Sequence, residues 1–291
     1  MRKMNLLFAV LMIPAGSCFA ENVNPAKVFE EVVSAYKSLQ TYKAEGVISA
    51  DINTGDMNMT IETSFSILLK KPNLYLISWT QKNIPMAGMT QSGTVWNDGN
   101  QPQLYMGISN EYVKMVSDEM ALASATGISG GAAYTIPSLF LGPFKGQSNQ
   151  FSILKDPSLE KTEKIGDEEC YVISGASPAS KKETFWISAS RHLILKYSRS
   201  FESSGQTVAE PELTDEQIEE MMKGMGLEIT EESKKKMKER MKEPDDEHEN
   251  KELRGSSTES YVKISSPELS AKDFNFTPPP GAVLKKSLFD F

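Results

Sequence analysis

Few side chains in this sequence have the type and spacing that an active site or a metal centre requires. The chain contains 2 histidines, His192 and His248. His248 lies in the acidic run 245–249, and no second histidine or cysteine nearby completes a zinc site. His192 occupies a turn that leads into a strand, where a surface histidine is ordinary. The histidines therefore predict no metal site.

The other reactive side chains are arranged no better for catalysis. The glycine-rich stretch 127–131 contains Ser129, but it lacks the G-x-S-x-G spacing of a nucleophile loop and no strand precedes it. No glycine loop is followed by the Lys-Ser/Thr pair that binds phosphate. Carboxylates are abundant, yet none is paired in an apolar context that would raise a pKa. We predict a protein that is not an enzyme and uses no cofactor.

Residues 1–20 have the composition of an export signal. A basic start is followed by the uninterrupted apolar run 6–13 and then by small residues that lead to Ala20. We expect cleavage after Ala20 and release into the periplasm. The alternative is lipidation of Cys18, which would make an outer-membrane lipoprotein, although Ala15 stands where an ideal lipobox has leucine.

The charge and cysteine content narrow the range of partners. The formal net charge is −8 at pH 7, and loss of the signal makes it more negative because it removes the 2 basic residues Arg2 and Lys3. An acidic protein repels nucleic acid and anionic membrane surfaces, so we predict no nucleic-acid partner. Cys170 is the only cysteine after residue 20, so the mature chain forms no internal disulfide. Its strand pattern predicts a buried apolar role.

Strand patterns fill most of the chain, and several of them are apolar on both faces. In the run 61–70, residues 61, 63, 65, 67 and 69 alternate with the polar residues 62, 64, 66 and 70, which is the period of a half-buried strand. The run 74–79 contains no polar residue before Ser78, so both of its faces must be covered. A long antiparallel sheet achieves this by curling around a core or a ligand, or by being capped with helices. The sequence predicts a mainly β fold with roughly ten strands.

Apolar strand residues that face the inside of a curled sheet are candidates for the lining of a ligand cavity. The choice of face is open by one register, and the alternative is that these side chains fill a dry core. The predicted lining residues are Phe65, Ile67, Leu76, Trp79, Trp96, Leu104 and Met106.

Two helical segments are predicted to accompany the first part of the sheet. Asn24 and Pro25 have the types expected at an N-cap and in a first turn, and apolar residues follow at helical spacing. A second segment, from about residue 110 to 142, has helical spacing from Tyr112 to Leu122 and then glycines. Such a segment usually covers the concave side of a sheet, so we predict a lid. Its candidate residues are Ile128, Ile136, Leu139, Phe140 and Leu141.

A third helical region, residues 207–255, interrupts the late strands within what we expect to be a single domain, 21–291. Thr214 and Gln217 match a capping box, and Thr230 begins a second acid-led helix. We predict an inserted helical hairpin. Methionine suits surfaces that adapt to varied partners, so the hairpin is a candidate contact for an envelope protein; alternatively, its apolar side packs against itself or against the sheet. That side comprises Met221, Met222, Met225, Leu227, Met237 and Met241.

Several short motifs occur in the order found in a known family. They are Ser38 to Ala44 between helix and strand, Lys71-Pro72 before an apolar strand, the hairpin 93–99, the strand pair 185–188 and 193–197, and the closing segment 274–282. In this order they resemble the LolA/LolB-like periplasmic lipoprotein carriers and related LolA-like domains, including DUF2092-type exported proteins. The resemblance implies an incomplete antiparallel β-barrel with helices lying in its open side as a lid.

The chain departs from the family's pattern in two places. The resemblance implies a strand-borne arginine that latches the lid, but the first strands contain none, since Arg191 and Arg199 come late in the chain. The insertion 207–255 also lies outside the usual plan. We expect a divergent branch that keeps the barrel and changes the cargo.

Two functions from different classes follow. The first is a periplasmic carrier or binding protein that encloses an acyl chain, a lipid or a lipoprotein. The second is a non-catalytic structural or sensing protein of the envelope, in which the barrel is a scaffold and the insertion 207–255 contacts a partner.

Overall fold

The computed structural model describes residues 23–55, 57–82, 90–142, 149–203, 214–224, 229–242 and 253–287. The predicted export signal, Cys18 and His248 lie outside these residues, so their interpretation stays a prediction.

After the first helix, two runs of consecutive strands are separated by one pair of helices, and a second helical pair precedes the last strands. The helices are α1 (Pro25–Ser38), α2 (Asp118–Ile128), α3 (Thr135–Leu141), α4 (Asp215–Gly224) and α5 (Glu231–Lys242), with a 3-10 turn at Ala271–Phe274. The first strands are β1 (Thr41–Asn53), β2 (Asn58–Lys70), β3 (Leu74–Lys82), β4 (Gln91–Asn97), β5 (Gln103–Met106) and β6 (Glu111–Lys114). The later strands are β7 (Lys155–Ile165), β8 (Glu168–Ser177), β9 (Ser180–Ser188), β10 (Ile194–Ser203), β11 (Leu253–Ser265) and β12 (Val283–Lys285).

These strands form a 12-stranded sheet in the order β12-β6-β5-β4-β3-β2-β1-β11-β10-β9-β8-β7. Neighbouring strands are antiparallel, apart from the parallel pair of β12 and β6 at one edge. The two end strands, β12 and β7, are not hydrogen-bonded to each other in the described residues. The predicted mainly β fold with an incomplete antiparallel barrel is confirmed.

The first helix forms where the sequence predicts it. The Asn24 side chain accepts a hydrogen bond from the Ala26 amide at 3.0 Å, and Pro25 occupies the first turn, where no amide donor is needed. One face of the helix, including Val32 and Tyr36, is buried. The Tyr36 hydroxyl oxygen also accepts from the Ile194 amide at 3.2 Å, which joins the helix to β10.

One face of the sheet packs against α1, α2 and α3, and we call it the covered face. Cross-strand pairs fix its register: Phe65 lies opposite Trp79, and Ile67 lies opposite Ile77. These residues belong to one buried hydrophobic cluster with residues of the three helices. Burial of such a cluster stabilises the fold by about 25 cal/mol per Å² of apolar surface.

The opposite, outer face is covered in part by the C-terminal segment. The Phe276 ring lies 4.9 Å from the Trp96 ring and 5.8 Å from the Tyr105 ring, measured between centroids. Phe274, in the 3-10 turn that contacts β3, is fully buried. This segment explains why β3 and β4 are apolar on both faces.

The helix predicted from Tyr112 onward is wrong in its first part. Residues 111–114 form strand β6, which pairs with β5 and β12, and the helix begins only at Asp118. Ser117 caps it by accepting a hydrogen bond from the Met120 amide at 3.1 Å. Pairing between strands has overridden a local apolar spacing that also fits a helix.

The predicted helical hairpin is present as α4 and α5. Their apolar residues Ile218, Met222 and Met237 form a small buried cluster of their own, with Ile229 packed beside it. Of the other predicted apolar residues, Met225 and Leu227 lie outside the described residues, and the structure does not describe the side chains of Met221 and Met241. Strand β11 already begins at Leu253, so the last residues of the predicted insertion belong to the sheet.

Candidate ligand-binding interior

Five of the seven predicted lining residues lie on the covered face. Phe65, Ile67 and Trp79 do so on β2 and β3, where they are buried in the main cluster. Leu104 is buried opposite Val95, and Met106 lies opposite Gly93 and is partly buried. They lie together, side by side in the first half of the sheet.

The assignment of Leu76 and Trp96 to the lining is wrong in its choice of face. Leu76 alternates with Tyr75 and Ile77, which point to the covered face, so it points outward opposite Trp96. Trp96 is buried, but beneath Phe276 of the C-terminal segment. Because both faces of β3 and β4 are apolar, the pattern alone could not distinguish them.

The predicted lid residues all pack on the covered face. Ile136, Leu139 and Phe140 of α3 are buried in the main cluster, and Ile128 and Leu141 are partly buried against it. The Phe140 ring lies 6.4 Å from the ring of Tyr42 on β1. In α2, the residues that face the cluster are mostly small, with Ala121 and Ala125 fully buried, so this helix approaches the sheet closely.

Asp118 ties the start of α2 to the sheet. Its carboxylate accepts hydrogen bonds from the Tyr75 hydroxyl at 2.9 Å, the Asn97 amide group at 2.7 Å and the Asn73 amide group at 3.3 Å. A carboxylate in a first helical turn is also favoured by the helix dipole. Burial, and then the charge of Asp118, raise the pKa of Tyr75, so the phenol remains a hydrogen-bond donor.

Glu259 ties the start of α3 to the sheet. It lies on the covered face of β11 and is 4% exposed, and it accepts a hydrogen bond from the Thr135 hydroxyl of α3 at 3.0 Å. The Tyr261 hydroxyl donates to its other oxygen. Burial raises the pKa of Glu259 to about 7, against the hydrogen bonds from Tyr261 and Thr135 and the charge of Arg199, which lower it.

Lys71 connects α1, the turn between β2 and β3, and α3. Its ammonium group donates to the carbonyl oxygens of Tyr36, at 3.1 Å, and of Lys37, both at the end of α1. The same group lies 5.0 Å from the centre of the Phe140 ring. Partial burial lowers the pKa of Lys71. One cation thus stabilises the end of one covering helix and contacts another.

Sequence reasoning missed Asp118, Thr135, Glu259 and Lys71. For Glu259 a signal was present: in β11 it shares a strand face with Tyr261, so an acidic residue occupies an inward position of an alternating strand. For the other three, the partner lies on an element distant in the chain. No local pattern identifies such pairs.

An open groove lies beside this interior, between α1 and the segment 149–157. Its volume is about 670 Å³, and its apolar wall includes Val33 and Leu154. The rings of Phe29 and Phe151 stack at 4.4 Å in its floor, and both belong to the main cluster. The groove therefore lies at the surface of the main cluster, on the side that faces away from the sheet.

The residues considered for catalysis have structural contacts. Ser129 is fully buried and accepts a hydrogen bond from the Ala133 amide at 3.3 Å, between α2 and α3. His192 lies 3.5 Å from the carboxylate of Glu31 on α1. Cys170 is buried, and burial raises the pKa of its thiol.

Within the described ranges, no group of three or more His, Cys, Asp or Glu side chains is placed to share a metal ion. Among the same residues, no helix combines the length and apolar character needed to cross a bilayer.

Comparison with known proteins finds similarity among solved structures. No protein-family model matches the chain, and no curated protein matches it. A LolA superfamily protein from Nitrosomonas europaea aligns over 87% of this chain and 98% of its own, at 10% identity and a TM-score of 0.28. The Mycobacterium tuberculosis lipoprotein LppX aligns over 85% and 99%, at 12% identity and a TM-score of 0.41. An uncharacterized conserved protein from Thermus thermophilus aligns over 89% and 98%, at 9% identity and a TM-score of 0.39.

The chain is therefore similar to LolA superfamily structures, as its motifs predicted. The alignments span nearly the whole of these proteins, at identities that bear on the fold alone.

Proposed function

We propose that this chain is a non-catalytic periplasmic carrier or binding protein, which holds an acyl chain, a lipid or a lipoprotein acyl group between the covered face and its helices. One observation supports this most directly. The short helix α3 has six buried residues out of 7, and Thr135 ties it to the sheet through a hydrogen bond to Glu259. Most of its other buried side chains are apolar.

Apolar contacts of this kind can be exchanged for contacts with a hydrocarbon chain at little cost. An acyl chain removed from water gains about 25 cal/mol per Å² of buried surface, which offsets the loss of helix packing. Movement of the lid then requires the polar ties of Asp118 and Glu259 to open. Binding would be firm and reversible.

The test is native mass spectrometry of protein purified from a bacterial periplasm, followed by solvent extraction and lipid analysis. We expect wild-type protein to carry lipid or acylated peptide. The Met106→Glu variant places a charge on the covered face at a partly buried position, and we expect it to lose the lipid. The matched control is Val47→Glu on the outer face, where the native side chain is 39% exposed; it should retain the lipid.

Lipid-free wild-type protein, or equal retention by both variants, would contradict the proposal. Circular dichroism confirms that each variant is folded before its lipid content is compared.

A second candidate function is a contact with an envelope protein through the hairpin of α4 and α5. It is supported by the hairpin's own cluster of Ile218, Met222 and Met237, and by ion pairs between the two helices, such as that of Lys234 with Glu219 at 2.9 Å. These contacts allow the hairpin to keep its shape away from the sheet. Its removal, described below, separates the two candidates.

A further inference from the structure

Trp79 carries a buried hydrogen-bond donor that no group among the described residues accepts. The residue lies on the covered face of β3 and is 2% exposed. Its indole Nε1 is buried and has no hydrogen-bond partner in the part of the chain that the structure describes. An indole nitrogen can only donate, and a buried donor without an acceptor destabilises the fold. Such a donor therefore suggests that a bound ligand supplies the acceptor.

The position of Trp79 marks a change in polarity along the covered face. On β3 the residues that face the helices run Tyr75, Ile77, Trp79 and Gln81. On β2 the residue opposite Gln81 is Thr63, which is buried. The face is apolar on one side of the indole and polar on the other.

The turn between α2 and α3 closes the polar end. A Cβ atom at Gly130 would lie 3.5 Å from the Thr63 hydroxyl and 3.6 Å from the Gln81 amide nitrogen. A Cβ atom at Gly131 would lie 3.0 Å from a carboxyl oxygen of Glu259. The backbone of this turn thus lies against three polar side chains, and the interior under the lid has one apolar end and one polar end.

The indole itself is held flat against the sheet. A Cβ atom at Gly93, on the neighbouring strand, would lie 2.2 Å from Cζ2 and 2.6 Å from Cε2 of Trp79, so only glycine fits there. Cε2 is bonded to Nε1, and the donor edge of the ring is therefore fixed over β4. Phe65, opposite Trp79, lies in the same way over Gly46 of β1, where a Cβ atom would lie 2.2 Å from its Cζ. Two adjacent rings form a flat apolar surface that ends in a fixed donor.

We infer that Trp79 Nε1 donates a hydrogen bond to the carbonyl oxygen of an acyl ester or acyl amide bound under the lid. This rests on the proposed function and names the ligand class. The hydrocarbon tail would lie along Ile67 and Ile77, and the carbonyl would lie at the polar end. An ester or amide fits better than a free fatty acid, because an ionised carboxylate loses its hydration when it is buried under the lid, at a cost that a neutral carbonyl group avoids.

The test compares methyl hexadecanoate with hexadecane, which share a hydrocarbon chain but differ in the carbonyl group. The first measurement is the ¹H–¹⁵N spectrum of the indole groups of the 3 tryptophans. The Trp79→Phe variant identifies the Trp79 signal. We expect the ester, and not the alkane, to move this signal downfield.

The second measurement is the affinity of each compound, determined by competition with a fluorescent apolar probe. Loss of one buried hydrogen bond predicts an affinity for the ester that is about ten-fold lower in Trp79→Phe, with the affinity for hexadecane unchanged. The matched control is Trp96→Phe, the same substitution on the outer face of the same sheet, which should change neither affinity.

The outcomes distinguish this inference from the proposed function. If both compounds bind, but the Trp79 signal does not respond to the ester and the variant binds both as the wild type does, the inference is wrong and acyl binding stands. If neither compound binds, both are wrong. If Trp79→Phe does not fold, the indole signals of the wild type and of Trp96→Phe test the inference. A signal that the ester shifts downfield in both proteins supports it, and the absence of such a signal contradicts it.

Discussion

The carboxyl group of Glu259 makes the contact between α3 and β11 sensitive to pH. Groups from three elements face it: Tyr261 on its own strand, Thr135 on α3, and Tyr197 and Arg199 on β10. Burial raises its pKa from an ordinary value of 4.5 to about 7. The folded protein therefore holds this proton over a pH range in which the unfolded chain releases it.

The sign of the effect on stability follows from that proton. An acid whose folded pKa is raised contributes stability that is fully present below pH 4.5 and is lost as pH rises through 7. We predict that the free energy of unfolding of the wild type falls by about 2–3 kcal/mol between pH 5 and pH 8 relative to Glu259→Gln. Urea unfolding at pH 5 and pH 8 measures it.

Glu45→Gln serves as the control for that prediction. Glu45 lies on the outer face of β1 and is half exposed beside Lys263, so its removal should leave the pH dependence nearly unchanged. Parallel pH profiles for the wild type and Glu259→Gln would show that Glu259 does not titrate in this way.

At the level of residues, the sequence predicts which side chains are apolar but not always where they point. Phe65 and Ile67 each follow a serine in an alternating run, and this alternation identifies their face. Leu76 and Trp96 lie in strands without this alternation. The outward face of these strands is also apolar, because the C-terminal segment around Phe276, far away in the sequence, covers it. Only the tertiary contact distinguishes the two faces.

Among the elements, the lid is held at its start by Asp118. Removing this carboxylate leaves the buried donors of Tyr75 and Asn97 without an acceptor, which costs about 1–3 kcal/mol for each group. We predict that Asp118→Ala loosens α2 and α3 while the central strands stay intact. Amide hydrogen exchange should become roughly thirty-fold faster or more in residues 117–142 and remain unchanged in β1 and β2.

The control is Asp98→Ala, in the exposed turn after β4, where the carboxylate accepts from Asn100 nearby in the chain. Its exchange pattern should match the wild type in the lid. Uniformly faster exchange throughout the sheet in Asp118→Ala would mean that α2 is an integral part of the core and not a movable cover.

The elements themselves were predictable to different degrees. The start of α1 follows from Asn24 and Pro25 because capping is a local property. The segment 111–114 became a strand because β5 and the distant β12 both pair with it, which no local spacing reveals. The pairing of β1 with β11 likewise joins elements from opposite ends of the chain.

For the molecule as a whole, the hairpin of α4 and α5 is inserted at a position where the sheet does not need it. Ser203 at the end of β10 pairs directly with Leu253 at the start of β11. A two-residue Asn-Gly turn can join two such antiparallel strands. We predict that replacement of residues 204–252 by Asn-Gly preserves the fold and the lipid content, as measured by thermal unfolding and native mass spectrometry.

The same deletion tests the second candidate function. If the shortened protein keeps its lipid but loses a co-purifying envelope protein, the hairpin is the site of that contact. Loss of lipid from a folded, shortened protein would contradict the placement of the ligand under α2 and α3.

The order of the strands also has a consequence for how the chain reaches this state. Strands β1 to β6 and β7 to β10 are each built from neighbours in sequence, whereas β11 fills the seam between β1 and β10. Until β11 emerges, both of those strands present unpaired backbone, and exposed edges of this kind favour aggregation. A newly made chain therefore keeps two strand edges open until residues 253–265 have been added, and we expect it to be most prone to aggregation before that point.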